Sequence, residues 1–270
     1  MPGTLGPLLL LSLLAPQSPP AVQDTLVDVG GYRMHLVVHR GTKPVTVVME
    51  SGGGDVIAGW AGVDSVLARR TGATVVAYDR AGLGGSGLGP VALTPRDQVR
   101  QLHEALERLG TPRARILVGT SYGGMMTLLH AHLYPAVVRG LVLVDPMNPR
   151  FVRSTGDFIY STARRNEHPV TQADTAYNRV VETFPGFVRD PDAGDGGLRV
   201  PIVVITAGTP WWGKPEIERA WRASHEAMAA GGPDRRLVVA EGSRHLVAKE
   251  APATIVEGVV SLLDSAGGSD

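Results

Sequence analysis

Short continuous apolar runs alternate along the chain with longer segments in which apolar residues recur every three or four positions. The runs are rich in β-branched side chains, as is typical of strands buried on both faces of a sheet. They lie at Val45–Met49, Thr74–Tyr78, Arg115–Val118, Gly140–Val144, Ile202–Thr206 and Leu237–Ala240. Helical spacing occupies Val56–Arg70, Pro95–Leu109, Tyr122–Tyr134, Glu216–Ala230 and Pro252–Leu263. This alternation predicts an α/β fold with a mostly parallel central sheet flanked by helices.

Two segments depart from this alternation. Near the start, Thr25–Val29 and Arg33–His39 alternate apolar and polar residues around a Gly-Gly pair, which predicts a hairpin with one solvated face. After the sixth predicted strand, residues 147–199 are polar, rich in Arg, Asp and Thr, and contain no buried-strand run. We expect them to form a short cap or lid insertion over the edge of the sheet, within one domain that spans residues 23–270.

The first residues require a separate interpretation. The apolar run Leu8–Leu14 has the length of the apolar core of a secretory signal peptide, whereas a membrane span needs about 20 residues. No Lys or Arg precedes the run and no small-x-small cleavage site follows it, so a plain disordered leader is the alternative. We therefore assign residues 1–22 to a leader. Export is expected if it is a signal peptide, and a cytoplasmic location otherwise.

Composition excludes several classes of protein. Lys and Arg number 26 and Asp and Glu number 26, so the formal net charge is zero. Nucleic-acid proteins normally carry a basic excess, and a polybasic membrane-surface binder would also need one. The chain has no cysteine, which rules out disulfides, a thiolate metal site and a cysteine nucleophile.

The most specific motif is the segment Gly119-Thr120-Ser121-Tyr122-Gly123, which has the form G-x-S-x-G. It follows a predicted strand and precedes a predicted helix, the context that places a serine on a sharp turn with its hydroxyl exposed. The two glycines remove side chains that would clash in so tight a turn. The start of the following helix offers backbone N–H groups to a developing oxyanion. Ser121 is therefore the candidate nucleophile.

Three further segments, taken together with the G-x-S-x-G motif, resemble those of a known family. They are Ala77 to Ser86, with its G-x-G-x-S ending, Leu141 to Pro146, and Glu241 to His245. Taken in this order, they resemble the α/β-hydrolase fold family, in its serine esterase and lipase-like branch, over roughly Leu26 to Leu263. The resemblance implies an α/β-hydrolase fold and a triad in the order Ser, acid, His.

The resemblance assigns the catalytic base to His245, which follows the last predicted strand and precedes the final helix. The other histidines lie on the early hairpin, within helical segments or in the cap. The acid departs from the common pattern, because most members carry it after strand 7 and no carboxylate appears there before Glu216. We favour Asp145, at the exit of strand 6, with Glu216 and Asp234 as alternatives.

An oxyanion hole needs two backbone donors. One is expected from Tyr122, the residue after the nucleophile. The other is expected from Gly53, in the loop after Val45–Met49. The family usually has a His-Gly pair in this loop, where the present chain has Ser51 and Gly52. Four residues are candidates for lining the substrate pocket, namely Gly52, Trp60, Trp211 and Trp212.

These residues together predict a serine hydrolase that cleaves carboxylic esters, or small amides, through an acyl-enzyme. The expected partner is a small ester-type molecule, without nucleic acid or a stable membrane span, and the oligomeric state is left open. No metal ion or organic cofactor is implied. The alternatives are a C–C bond hydrolase, a lyase or an acyltransferase of the same fold, or a receptor-like module with slow turnover. Ser121 argues against dehalogenases and epoxide hydrolases of this fold, which use an aspartate nucleophile.

Overall fold

A computed structural model describes residues 21–156, 158–162 and 167–267. The strands are β1 (Val22–Asp28), β2 (Arg33–His39), β3 (Val45–Glu50), β4 (Thr74–Tyr78), β5 (Ala114–Thr120), β6 (Val138–Val144), β7 (Ile202–Ala207) and β8 (Arg235–Ala240). The helices are α1 (Val63–Thr71), α2 (Pro95–Arg108), α3 (Tyr122–Leu133), α4 (Pro149–Thr155), α5 (Phe158–Thr162), α6 (Gln172–Arg189), α7 (Pro215–Ala229), α8 (Val247–Glu250) and α9 (Pro252–Gly267). The predicted leader lies outside the described residues up to position 20, and β1 begins at Val22, the last residue assigned to it.

The strands form one sheet in the order β1-β2-β4-β3-β5-β6-β7-β8. The predicted hairpin is present, because β1 pairs with β2 in the antiparallel sense, and β2 pairs likewise with β4. All the remaining pairs, from β4 through β3, β5, β6 and β7 to β8, are parallel. The predicted α/β-hydrolase fold with a mostly parallel sheet is confirmed.

Helices cover both faces of the sheet. Successive residues of a strand point to opposite faces, so the continuous apolar strands present apolar side chains on both sides, and each side needs a covering layer. One layer contains strand residues Val47, Val75 and Ile116 with helix residues Leu67 of α1 and Val259 of α9. The opposite layer contains their neighbours Val48, Val76 and Leu117 with Leu102 of α2 and Leu128 of α3. Burial of each such side chain contributes about 1.5–3 kcal/mol relative to exposure, which explains the unbroken apolar runs in the sequence.

The segment Val56–Arg70, predicted as helical, is divided in two. A 3₁₀ turn over Ile57–Trp60 ends at Ala61 and Gly62, which have φ angles of 51° and 85°. Both angles lie in the left-handed region, which a continuing α-helix does not use, so α1 starts only at Val63. The break lets Trp60 turn into the core, where it is 1% exposed.

The segment between β6 and β7, predicted to be a cap, is helical over most of its described length. It contains α4, α5, α6 and a 3₁₀ turn at Pro191–Ala193. Thr171 caps the start of α6, since its hydroxyl accepts a hydrogen bond from the Asp174 N–H at 3.0 Å. None of the helices in the described ranges is both long and apolar enough to cross a bilayer.

Candidate active site

The carboxyl ends of the parallel strands bring the predicted site residues to one edge of the sheet. In the strand register, Glu50 of β3 lies beside Gly119 of β5, and Thr120 lies beside Val144 of β6. Ser121 and Asp145 are the next residues of their strands, so they start adjacent loops. The turn that carries His245 follows β8 at the same edge, where open α/β sheets bind their ligands.

Ser121 occupies a strained backbone turn. Its φ is 51° and its ψ is −123°, and α3 begins at the next residue. A Cβ atom at Gly119 would lie 2.2 Å from the Thr127 Oγ1 atom, and one at Gly123 would lie 2.4 Å from the Glu50 carbonyl oxygen. Neither position therefore accepts a side chain. A strained non-glycine residue costs about 1–3 kcal/mol and is common at functional sites.

Asp145 is fully buried and holds His245. Its Oδ2 atom lies 2.7 Å from the Nδ1 atom of His245. Its Oδ1 atom accepts hydrogen bonds from the Ala207 N–H at 3.0 Å and from the indole N–H of Trp221 at 2.8 Å. Burial opposes the charge, but the hydrogen bond with His245 and the neighbouring polar groups lower the pKa of Asp145 below its usual value. The carboxylate is therefore ionised at neutral pH.

The carboxylate determines which nitrogen of His245 carries the proton. Because an ionised carboxylate only accepts hydrogen bonds, Nδ1 donates to Asp145, and the neutral ring keeps a free lone pair on Nε2. Trp211 stacks on the imidazole, with ring centroids 4.0 Å apart and an angle of 22° between the planes. The Asp145 carboxylate and the Trp211 indole together restrict both the direction and the tilt of the ring.

The two alternative acids lie elsewhere. Glu216 is exposed in the first turn of α7. Asp234 is exposed just before β8, and its carbonyl oxygen accepts a hydrogen bond from the N–H of Ile202 at 3.0 Å. Ile202 starts β7, so Asp234 lies at the amino end of the sheet, opposite the site. Among the three candidates, Asp145 is the one that contacts His245.

Two residues of α7 that sequence reasoning missed support Asp145. Trp221 donates to its carboxylate, and His225 lies one turn later, with Nδ1 3.8 Å from Asp145 Oδ1. The Nε2–H group of His225 donates to the Pro146 carbonyl oxygen, and its Nδ1 atom accepts from Thr206 Oγ1. Burial lowers the pKa of His225, so it stays neutral beside Asp145. Trp221 and His225 are four positions apart, so both lie on the same face of α7; this spacing is the feature of the sequence that could have indicated their shared role.

The predicted oxyanion donors lie side by side. A Cβ atom at Gly53 would be 3.7 Å from the Cβ of Tyr122, and one at Gly52 would be 3.7 Å from the Cβ of Ser121. The loop after β3 therefore borders the nucleophile and the start of α3. α6 covers this loop from above, because Val180 lies 3.9 Å from the same Cβ position at Gly53.

A buried ion pair fixes the loop from behind. One amino group of Arg80 donates to Glu50 Oε1 and to the Ser51 carbonyl oxygen, each at 2.6 Å. The other donates to the carbonyl oxygens of Gly52 and Gly53. In a trans peptide the C=O and the following N–H point in opposite directions. With the Gly52 carbonyl held by Arg80, the N–H of Gly53 therefore points away from the guanidinium.

The charges of this pair depend on each other. Burial raises the pKa of the Glu50 carboxyl, which also accepts the hydroxyl of Tyr78. Although burial opposes the guanidinium charge, Glu50 raises the pKa of Arg80.

We expect Arg80→Met to lower the free energy of unfolding by about 3–5 kcal/mol, because it leaves Glu50 buried without its partner. Urea unfolding measures this loss, and Arg80→Met combined with Glu50→Gln should recover part of it. If Arg80→Met alone were as stable as the wild type, the expectation would be contradicted.

The predicted pocket tryptophans divide into two groups. Trp212 stacks on Trp211 with centroids 4.1 Å apart, and it contacts the rings of Phe151 and Phe158 from the segment after β6. These rings form an apolar aromatic wall beside His245. Trp60 instead packs in the core layer that contains Val47 and Val75. It also borders a small cavity next to His245.

Comparisons with known proteins concern the family and the fold of the chain. A family model for the alpha/beta hydrolase fold matches residues 45–194. The uncharacterized protein YqjL of Bacillus subtilis (strain 168) is 30% identical over 126 residues, which are 47% of this chain and 49% of YqjL. The chain thus aligns with about half the length of this curated relative.

Solved structures show the same fold at low identity. A probable hydrolytic enzyme from Pseudomonas aeruginosa PAO1 is 18% identical, with 92% of this chain and 95% of that chain covered and a TM-score of 0.68. A thermophilic esterase from Thermogutta terrifontis is 21% identical, with 92% and 99% covered and a TM-score of 0.64. At these identities the likeness concerns the fold.

Proposed function

The chain belongs to the α/β-hydrolase family, and from this membership we propose that it is a serine hydrolase of carboxylic esters that uses Ser121, His245 and Asp145 as a catalytic triad. One observation carries the proposal: the Asp145 carboxylate holds His245 through Nδ1 at 2.7 Å, at the edge of the sheet where Ser121 sits on a strained turn. The solved esterase with this fold is consistent with the same reaction class.

The proposed reaction starts with proton transfer from Ser121 Oγ to Nε2 of His245, while Oγ attacks the ester carbonyl carbon. Asp145 keeps the imidazole in the required tautomer and stabilises the imidazolium that forms. The N–H groups of Gly53 and Tyr122 receive the oxyanion, which is usually the largest single contribution to catalysis. His245 then protonates the leaving alcohol, and water releases the acid from the acyl-enzyme.

We assign residues 147–199 to a cap that closes over this site. α6 is attached to the loop after β4, because Arg179 donates to the carbonyl oxygens of Leu88 and Gly89 at 2.9 and 3.0 Å. Phe184 and Phe187 of the same helix pack near the ring of Tyr122. The aromatic wall of Trp211, Trp212, Phe151 and Phe158 gives the site an apolar border beside His245, which favours substrates with an apolar acyl group.

A series of p-nitrophenyl esters with acyl chains of increasing length tests the proposal. We expect sustained turnover and labelling of the protein by a fluorophosphonate probe. A single equivalent of p-nitrophenolate without further turnover would instead favour a receptor-like module. Transfer of the acyl group to an added alcohol, in excess over free acid, would favour an acyltransferase.

A further inference from the structure

The loop after β7 places an indole on one face of His245. Trp211 stacks on the imidazole, with ring centroids 4.0 Å apart and an angle of 22° between the planes. The backbone holds this loop against the turn that carries His245, because the Thr209 N–H donates to the Ser243 carbonyl oxygen at 2.8 Å. The stacked pair therefore joins two neighbouring loops at the carboxyl edge of the sheet.

Two further indoles hold Trp211 in place. Trp212 stacks on it with centroids 4.1 Å apart, and Trp221 meets it at an angle of 89° with centroids 5.6 Å apart. Trp212 and His245 make no ring contact with each other within the described residues, so they lie on opposite faces of the Trp211 indole. Trp221 is 2% exposed and also donates to Asp145. One aromatic cluster thus supports both the imidazole and its carboxylate.

The face of an indole can stabilise a positive charge on the ring that it covers. This face carries negative charge density and attracts a cation within about 6 Å of its centroid, and the His245 ring lies well inside that distance. The proposed reaction converts the neutral imidazole into an imidazolium. Dispersion attraction acts on both forms, whereas the attraction of the indole face for a charge acts on the imidazolium. An interaction that strengthens as the charge develops lowers the barrier.

We propose that Trp211 is a positioning residue that acts through His245, and that its indole face stabilises the imidazolium formed during catalysis. The inference rests on the proposed serine-hydrolase function. The imidazolium forms when Nε2 takes a proton from Ser121 Oγ in acylation and from water in deacylation. It disappears when that proton passes to the leaving alcohol or back to Oγ. Trp211 forms no bond itself and contributes to both steps.

Fluorinated tryptophans incorporated at position 211 test this role with little change in the shape of the ring. Each fluorine withdraws electron density from the indole face and weakens its attraction for a cation, while the stacking contact is kept. We expect kcat for a p-nitrophenyl ester to fall with each added fluorine and KM to stay within about twofold. Trp211→Leu removes the aromatic face and should lower kcat about five- to thirtyfold, whereas Trp211→Phe should retain more activity.

A trifluoromethyl ketone separates the charged state from substrate binding. Its carbonyl carbon bonds to Ser121 Oγ while the hydroxyl proton moves to Nε2 of His245, so the adduct contains the imidazolium. Its inhibition constant should rise along the fluorinated series by the same factor as kcat falls. The same analogues at Trp60 are the matched control, because Trp60 is 1% exposed in the core and makes no ring contact with His245 in the described structure. They should leave kcat and the inhibition constant unchanged.

The outcomes separate this proposal from the one on which it rests. If kcat stays constant along the fluorinated series, the indole acts through its shape alone and the proposal is overturned, whatever the result for Trp211→Leu. A rise in KM at constant kcat would limit Trp211 to the substrate pocket and would also overturn it, while ester hydrolysis stands. A wild-type protein with neither ester turnover nor a ketone adduct would overturn the proposed function, and the role of Trp211 with it. A parallel loss of kcat and of ketone affinity supports both.

Discussion

Replacement of Ser121 by alanine is expected to lower kcat by about 10⁴–10⁶ and to abolish fluorophosphonate labelling. The hydroxyl is the proposed nucleophile, and the chain has no cysteine that could replace it. The fold should persist, because the motif glycines and the backbone contacts remain. The Ser121 N–H still donates to the Val144 carbonyl oxygen at 3.1 Å, and its carbonyl oxygen still accepts from Gly124 and Met147.

Two further variants sharpen this test. Ser121→Gly should be as inactive as the alanine variant but more stable by about 1 kcal/mol, since glycine relieves the strain of a φ of 51°. Ser154→Ala removes an exposed hydroxyl from α4 and should leave both labelling and turnover unchanged. Persistent labelling of Ser121→Ala at another serine would refute the assignment of the nucleophile.

The second large effect is expected for Asp145→Asn, with kcat lower by about 10⁴. The hydrogen bonds around Asp145 determine the orientation of the new amide. The Ala207 N–H and the Trp221 indole both donate to Oδ1, so the amide oxygen of asparagine must face them. Its NH₂ group then faces His245 and donates to Nδ1. That bond stabilises the tautomer with the proton on Nε2, which cannot accept the proton of Ser121.

The loss should come from chemistry and not from unfolding. Asp145 has a φ of 41°, and asparagine tolerates the left-handed region better than most residues. A thermal midpoint near that of the wild type, with a normal KM and a much lower kcat, is the expected combination. Glu216→Gln is the matched control, because Glu216 is exposed in α7 and should leave kcat unchanged. A strong loss in Glu216→Gln with normal activity in Asp145→Asn would reverse the assignment of the acid.

Acid should destabilise the folded protein through the Asp145 carboxylate. The pKa of Asp145 is lowered in the folded state, so its contribution to the free energy of unfolding is complete above the usual carboxyl range and is lost as the pH falls through the folded-state pKa. Asp145→Asn removes this contribution. The difference in unfolding free energy between the wild type and the variant should therefore shrink towards acid pH, as urea titrations at several pH values would measure. A difference that stays constant with pH would contradict the role of the charge.

The amino-acid sequence by itself determined the features that depend on residues close together in the chain. Continuous β-branched runs identified the buried strands, because both faces of a central strand lie in the core. The G-x-S-x-G spacing predicted the sharp turn, although only the clashes avoided at Gly119 lie within the strand-turn-helix unit, whereas those at Gly123 involve Glu50 and Ser51 at the end of the neighbouring strand. The order of strands and helices also located Asp145 and His245 at strand exits, and the parallel sheet then required both to share one edge.

Only the tertiary structure decided which distant residues contact these groups. Trp221 lies 76 positions after Asp145, and Arg80 lies 30 positions after Glu50. Such pairs depend on the strand order and on how each helix rotates against the sheet, and no local pattern encodes either. The same reason explains why Trp211 stacks on His245 while Trp60, another aromatic residue of the predicted pocket, packs mainly in the core. Local patterns therefore identified the proposed reacting groups, whereas long-range packing determined how the imidazole, the carboxylate and the loop after β3 are held.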